Sequence, residues 1–162
     1  VEIARPAGVA VVINDRPDIA RLAGADGVHV GQNDLAVAEV RRVVGDRVLV
    51  GVSCSTLDQA RRAVRDGADY LGLGPMFSST TKPKPTLSGP ALIEAVMADP
   101  LTCSRPHLAI SGIDASNAGE LAARGCRGVA VCGGVCGAAD PEAAPPELVA
   151  AMSAAHDAST GS

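Results

Sequence analysis

Gly67-Ala68-Asp69-Tyr70-Leu71-Gly72-Leu73-Gly74-Pro75-Met76-Phe77-Ser78-Ser79-Thr80-Thr81-Lys82 is the stretch on which the fold turns. Its first half is a short apolar run introduced by a glycine, which predicts a buried strand entered from a helix end. Gly74-Pro75 then breaks the run, because a proline cannot donate to a ladder and ends a central strand. The second half is a loop of hydroxyls, Ser78, Ser79, Thr80 and Thr81, closed by the point charge of Lys82. Hydroxyls and an ammonium at the carboxyl end of a strand suit an anionic, phosphate-bearing ligand.

The same joint recurs. Gly24-Ala25-Asp26-Gly27-Val28-His29-Val30-Gly31 resembles Gly67 to Gly74, and Gly125-Cys126-Arg127-Gly128-Val129-Ala130-Val131-Cys132 is a weaker copy. Each reads as a helix stop, a short loop and a buried strand, the repeating joint of a βα array. Along the chain, apolar runs predict strands at Val9 to Ile13, Gly27 to Gly31, Val48 to Val52, Asp69 to Gly74, His107 to Ile110 and Gly128 to Cys132. Helices are predicted at Pro17 to Ala23, Leu35 to Val44, from a Thr56 cap to about Asp66, and at Ser88 to Met97. Two more run from Asp114 or Ser116 to Arg124 and from Pro146 to Ala155.

Six βα units with short strands predict an α/β protein of the (β/α)8 TIM-barrel type, with six of the eight units present. No Gly-x-Gly-x-x-Gly follows the first strand, which counts against a dinucleotide fold. Six strands leave the first and last as apolar edges, which soluble proteins avoid. The expectation is therefore that the first two βα units lie before Val1, or that a partner such as a second copy of the chain completes the barrel. Val1 to Gly8 reads as the tail of a preceding helix, which favours the former. Residues 1–152 are expected to form the single partial barrel, and residues 153–162 a frayed polar tail.

Composition narrows the function. Hydrophobic residues make up 47% of 162, yet only Tyr70 and Phe77 are aromatic, so the core must be built from Val, Ala, Leu and Ile. The net charge is −4 and the 14 basic residues are scattered, which argues against nucleic acid as a partner. No apolar run approaches the ~20 residues that span a bilayer, and no signal-peptide pattern is present. Cys54, Cys103, Cys126, Cys132 and Cys136 show no zinc-ligand spacing and read as reduced residues, mostly core fillers. The expected location is the cytoplasm.

In a barrel of this type the site lies at the carboxyl ends of the strands. There the sequence places Asn14 and Asp15, then Gln32 and Asp34, then Ser53, the loop from Ser79 to Lys82, Ser111-Gly112 and Gly133-Gly134. Neighbouring strands lie about 4.8 Å apart, so Asp15 and Asp34 are placed to hold one Mg²⁺ together with phosphate oxygens of a substrate.

Val12-Ile13-Asn14-Asp15-Arg16, Gly27-Val28-His29-Val30-Gly31-Gln32-Asn33-Asp34, Gly51-Val52-Ser53 and Gly72 to Lys82 occur in an order that resembles the thiamine-phosphate synthase family. The resemblance runs from Val9 to about Gly134. It implies a transferase of thiamine biosynthesis that joins a pyrimidine diphosphate to a thiazole phosphate and releases diphosphate, with Mg²⁺ as cofactor and small phosphorylated molecules as partners. It implies contacts to the pyrimidine diphosphate from Asn14, Ser53 and Lys82, the last two as catalytic residues. Asp15 and Asp34 would hold the metal, and Ser79, Thr81, Gly112, Cys132 and Gly133 would hold the thiazole phosphate.

The chain departs from the family in places. The family's Gln-Leu-Arg-Glu-Lys strand, which clamps the diphosphate, has no counterpart. Ser111-Gly112 stands for a Gly-Gly pair, Ser79 for a threonine, and Cys132-Gly133 for Ile-Ser, which leaves a contact there to backbone amides. Two other readings stand beside the synthase: a non-catalytic or truncated phosphate-binding paralogue, and a thiazole tautomerase. The tautomerase uses a histidine where this chain has Ser55.

Overall fold

A computed structural model describes residues 1–79 and 85–160, the side chains of 156–160 excepted. Six strands alternate with helices: β1 Val12–Asn14, α1 Pro17–Ala23, β2 Gly27–Val30, α2 Val37–Val44, β3 Leu49–Cys54, α3 Leu57–Arg65 and β4 Tyr70–Leu73. They are followed by α4 Ala91–Ala98, β5 His107–Ile110, α5 Ala118–Ala123, β6 Val129–Ala130, α6 Gly133–Cys136 and α7 Ala144–Thr160. All neighbouring strands pair in parallel and in sequence order, β1 through β6. Sequential parallel order with crossovers of one hand puts the helices on one face, as a barrel requires and a doubly wound sheet does not. The sheet curls into an open half-barrel.

Alternation along the strands divides the sheet into two faces. Val28, Val30, Val50, Val52, Cys54, Leu71, Leu73 and Ala109 are buried against the helices, where they meet Ala20, Val40, Ala60, Ile93 and Val96. Full burial of one Val or Leu contributes roughly 1.5–3 kcal/mol, so this layer holds the sheet to its helices. The opposite, concave face carries Asn14, His29, Ser53 and Tyr70, all half-buried or exposed.

Local signals place the joints. Gly24 ends α1 in the left-handed region at φ 61° and returns its N–H to the carbonyls of Ala20 and Arg21. Thr56 caps α3 by accepting from the Gln59 N–H, and Glu39 reaches back to the Ala36 N–H at the start of α2. At the amino-terminal edge of the sheet, the repeated Gly-Ala-Asp joint does the same thing twice. Asp26 accepts from the Val11 N–H at 2.8 Å, and Asp69 accepts from the Val50 N–H at 2.7 Å. Asp69 also pairs with Arg41, which donates to the Val48 carbonyl as well.

Most expected element boundaries shift by a residue or two, and four of the changes have a visible cause or consequence. β1 starts at Val12 rather than Val9, since Val11 commits its hydrogen bonds to Asp26 and Gly27 rather than to a ladder. β6 is two residues long rather than five, with β5 as its strand neighbour. Ser88 lies outside α4, its hydroxyl donated to the Ser55 carbonyl. The last helix runs past Ala155 to Thr160, through much of the expected tail. No described helix is long and apolar enough to cross a membrane.

Candidate active site

At the carboxyl end of β1, Asp15 takes a left-handed conformation at φ 60° and donates its backbone N–H to the His29 carbonyl at 2.8 Å. This ties the β1 turn to the end of β2. One strand on, Asp34 accepts from the Gly31 N–H at 2.7 Å, so its carboxylate is folded against the end of β2. Gln32 donates its side-chain amide to the Ser53 carbonyl at 2.7 Å and links that loop to β3.

On the concave face, register pairs His29 with Gly51 and Gly51 with Tyr70, and sets Ser53 beside Gly72. The two glycines leave space that two rings fill. A Cβ on Gly51 would lie 2.1 Å from Tyr70 Cζ, and one on Gly72 would lie 3.0 Å from His29 Cε1. His29 spans from the Tyr70 hydroxyl, 3.0 Å from its Nδ1, to the Ser53 hydroxyl, 2.9 Å from its Nε2. Burial pulls the His29 pKa below its ordinary value and pushes that of Tyr70 up. Both shifts favour the neutral forms.

The loop after β4 is laid along the end of β5. Gly74-Pro75 is a cis peptide, Met76 donates to the Ile110 carbonyl, and Phe77 donates to the Ser111 carbonyl. Ser111 returns its hydroxyl to the Phe77 carbonyl at 3.2 Å. Gly112 sits at φ 67°, and a Cβ there would come within 2.4 Å of the Ser78 carbonyl oxygen. Only a glycine allows that approach. Asp114, expected with Ser116 as a helix cap, instead accepts from the Ser116 N–H and hydroxyl ahead of α5, which begins at Ala118.

An open cavity of about 590 Å³ lies over the ends of β1, β5 and β6. It gathers Asn14, Ser79, Ser111, Gly112, Cys132, Gly133 and Gly134, seven of the residues expected at the site, together with Ser78. Gly133-Gly134, expected as a loop, opens the short α6, with Cys132 as its first capping residue. Ser53 lies on the neighbouring concave surface within the His29 network. Asp34 lines a separate, smaller cavity of about 160 Å³ that reaches α3. The larger space is the one on which the strand ends converge. Thr81 and Lys82 lie outside the described residues.

As metal ligands, Asp15 and Asp34 offer hard carboxylate oxygens from adjacent loops, a donor set that fits Mg²⁺. Among the described residues no cluster of three or more His, Cys, Asp or Glu side chains is placed to hold a metal, so a cation here would complete its shell with other oxygens, such as those of water or a substrate phosphate. The cysteines divide: Cys54 and Cys126 are buried fillers, with the Cys54 thiol pushed up to about 12 by burial, whereas Cys103, Cys132 and Cys136 are exposed. The expectation that most fill the core is therefore corrected, because three fall in loops and at the α6 turn rather than on the helix-facing side of strands.

Over residues 1–135 the sequence matches the family described as thiamine monophosphate synthase. The thiamine-phosphate synthase of Chloroflexus aurantiacus is 44% identical over 156 residues, which cover 96% of this chain and 71% of that protein. That of a Roseiflexus species is 42% identical over 156 residues, covering 96% of this chain and 65% of that one. Among solved structures, thiamine phosphate pyrophosphorylase from Pyrococcus furiosus superposes with a TM-score of 0.81 at 29% identity, over 95% of this chain and 72% of that chain.

Proposed function

Because the chain belongs to the thiamine monophosphate synthase family, we propose that the protein joins 4-amino-5-hydroxymethyl-2-methylpyrimidine diphosphate to a thiazole phosphate, releasing diphosphate. The observation that carries this reading is the cavity in which Asn14, Ser79, Gly112, Cys132 and Gly133 converge from separate strand ends. A bond-forming reaction between two phosphorylated substrates needs such a meeting place, with hydroxyls and backbone amides rather than an acid–base pair.

In the reaction the C–O bond to the diphosphate breaks and its electron pair leaves with the diphosphate. The thiazole nitrogen then gives its lone pair to the pyrimidine-stabilised cation. No proton need be removed, so no general base is called for. The chain's task is to bind, orient and offset charge. Ser79, Thr81 and the amides at Gly112 and Gly133 are proposed to hold the thiazole phosphate beside Cys132, and Asn14 and Ser53 to hold the pyrimidine diphosphate. Asp15 and Asp34 would hold Mg²⁺, whose charge would offset that of the departing diphosphate. Lys82 is proposed to act beside them as a point charge on the leaving group. Cytoplasmic location and small phosphorylated substrates belong to the same reading.

The tautomerase alternative is weakened by local structure. Ser55, where that chemistry needs a histidine, turns its hydroxyl to Gln59 at 3.1 Å at the start of α3. The test is formation of thiamine phosphate from the two substrates with Mg²⁺ by a protein restored to eight βα units. Activity is expected, and Lys82→Ala should lower the rate ~100-fold, about 2.7 kcal/mol, with thiazole phosphate binding changed only a few-fold. Binding of both substrates without product would replace the synthase by a binding-only paralogue.

A further inference from the structure

We propose that Tyr70 and His29 form a relay that turns the Ser53 hydroxyl outward as a hydrogen-bond donor to an anionic oxygen of the diphosphate. The proposal deepens the synthase reading and rests on it for the identity of the ligand. The geometry comes from side chains on three adjacent strands, β2, β3 and β4.

A neutral imidazole carries one N–H and one bare nitrogen. His29 stands between two hydroxyls, so its tautomer decides which way each of them points. In one arrangement Nδ1 donates to Tyr70 and Ser53 donates to Nε2. That uses the Ser53 proton inside the protein and leaves only oxygen lone pairs facing the concave surface. In the other, Tyr70 donates to Nδ1, Nε2–H donates to the Ser53 oxygen, and the Ser53 proton is free to point away. A phenol is a better donor and a poorer acceptor than an aliphatic alcohol. The phenolic proton therefore belongs on the bare nitrogen and the imidazole proton on the serine oxygen. This second arrangement ends in a donor, the polarity an anionic ligand needs.

The surroundings hold the relay in place. Gly51 and Gly72 are the positions on the concave face over which the two rings lie; a side chain at Gly51 would displace the Tyr70 ring, and one at Gly72 would press on His29 at 3.0 Å. Tyr70 and His29 are tilted at 37° with ring centroids 5.4 Å apart, a packed pair rather than two independent side chains. Gln32 meanwhile fixes the Ser53 carbonyl, so the serine backbone is held while its hydroxyl can rotate. Tyr70 and His29 are thus positioning residues, acting through Ser53.

The first measurement is the tautomer of His29 in the wild-type protein, read from long-range ¹H–¹⁵N imidazole spectra. The expected result is Nε2–H, with Nδ1 showing the downfield shift of an unprotonated nitrogen. The second is a cycle on the affinity for inorganic diphosphate with Mg²⁺, by calorimetry. Tyr70→Phe keeps the ring and removes the donor. It should raise the Nδ1–H population of His29 and weaken diphosphate binding about fivefold, or roughly 1 kcal/mol, while in a Ser53→Ala background it should weaken it no further. An Nδ1–H tautomer in the wild type overturns the relay, as does an equal effect of Tyr70→Phe in both backgrounds. A protein with the expected tautomer and cycle that makes no thiamine phosphate would instead sink the synthase reading and leave the relay standing.

Discussion

Replacing Gly51 with alanine puts a methyl group where the Tyr70 ring lies, 2.1 Å from Cζ and 2.5 Å from the hydroxyl oxygen. No contact that short survives, and β3 is held in its ladder by neighbours on both sides, so the ring must leave. With it go the hydrogen bond to His29, about 1 kcal/mol, and the packing of the two rings, about 0.5–1.5 kcal/mol. The lost interactions come to about 2 kcal/mol, offset by the roughly 0.5–1 kcal/mol by which alanine is favoured over glycine in a strand interior, so Gly51→Ala alone should destabilise the protein by about 1 kcal/mol. At the size of this chain that corresponds to roughly 2–4 °C in Tm. In a Tyr70→Ala background there is no ring to meet, and alanine in a strand interior is then favoured over glycine by roughly 0.5–1 kcal/mol. The sign of the effect should reverse. The assay is urea unfolding of the four proteins of the cycle, giving a coupling of about 2 kcal/mol. A Gly51→Ala cost that is equal in both backgrounds would show that the ring does not occupy this space, and the packing basis of the His29 network would fall.

Asp34→Asn should weaken Mg²⁺-dependent diphosphate binding at least tenfold, about 1.4 kcal/mol, while the amide oxygen can still accept from the Gly31 N–H that the carboxylate now holds; calorimetry with and without Mg²⁺ checks it, and an unchanged affinity removes Asp34 from the site. Stability should fall on mild acidification. Burial lowers the pKa of both His29 and His107, and His107 Nε2 has no hydrogen-bond partner among the described residues. Below about 6.5 the unfolded chain takes up protons that the native state refuses, so each histidine contributes stability above that pH and loses it as pH falls through its lower native value. His107→Gln should flatten the fall in urea midpoint between pH 7.5 and 5.5, and an identical pH dependence would refute this.

Much of the architecture was legible because each βα joint announces itself locally. The glycine stops at Gly24 and Gly67 and the apolar run at His107 to Ile110 translate directly into elements. β1 and β6 came out shorter because strand length depends on how far a neighbour's ladder extends, which periodicity does not reveal. Seven expected site residues meet in one cavity since parallel order puts all strand ends on one rim and the curl of the sheet brings the end of β1 toward those of β5 and β6. The His29–Tyr70–Ser53 network was not foreseen, because it joins residues 41 and 24 positions apart through a register unknown from sequence. A signal was nonetheless present. When the two Gly-Ala-Asp repeats are aligned, Gly27 stands opposite Tyr70 and His29 opposite Gly72, so wherever one copy has a ring the other has a glycine. Large against small at matched positions is what interlocking layers require.

The aspartates of those repeats lie at the other end of the sheet. Asp26 and Asp69 clasp the preceding strand by its backbone, and Arg41 fastens the second clasp, all at the amino-terminal rim. Every described residue proposed to touch substrate lies at the opposite rim. Fastening and substrate contact are thus separated by the length of a strand, with Tyr70, next to the Asp69 clasp, as a link between them, and at the Asp26 clasp selection can act without disturbing the site. A lineage could exchange that clasp for another, or tighten it for a hotter habitat, and carry the same active site through unchanged.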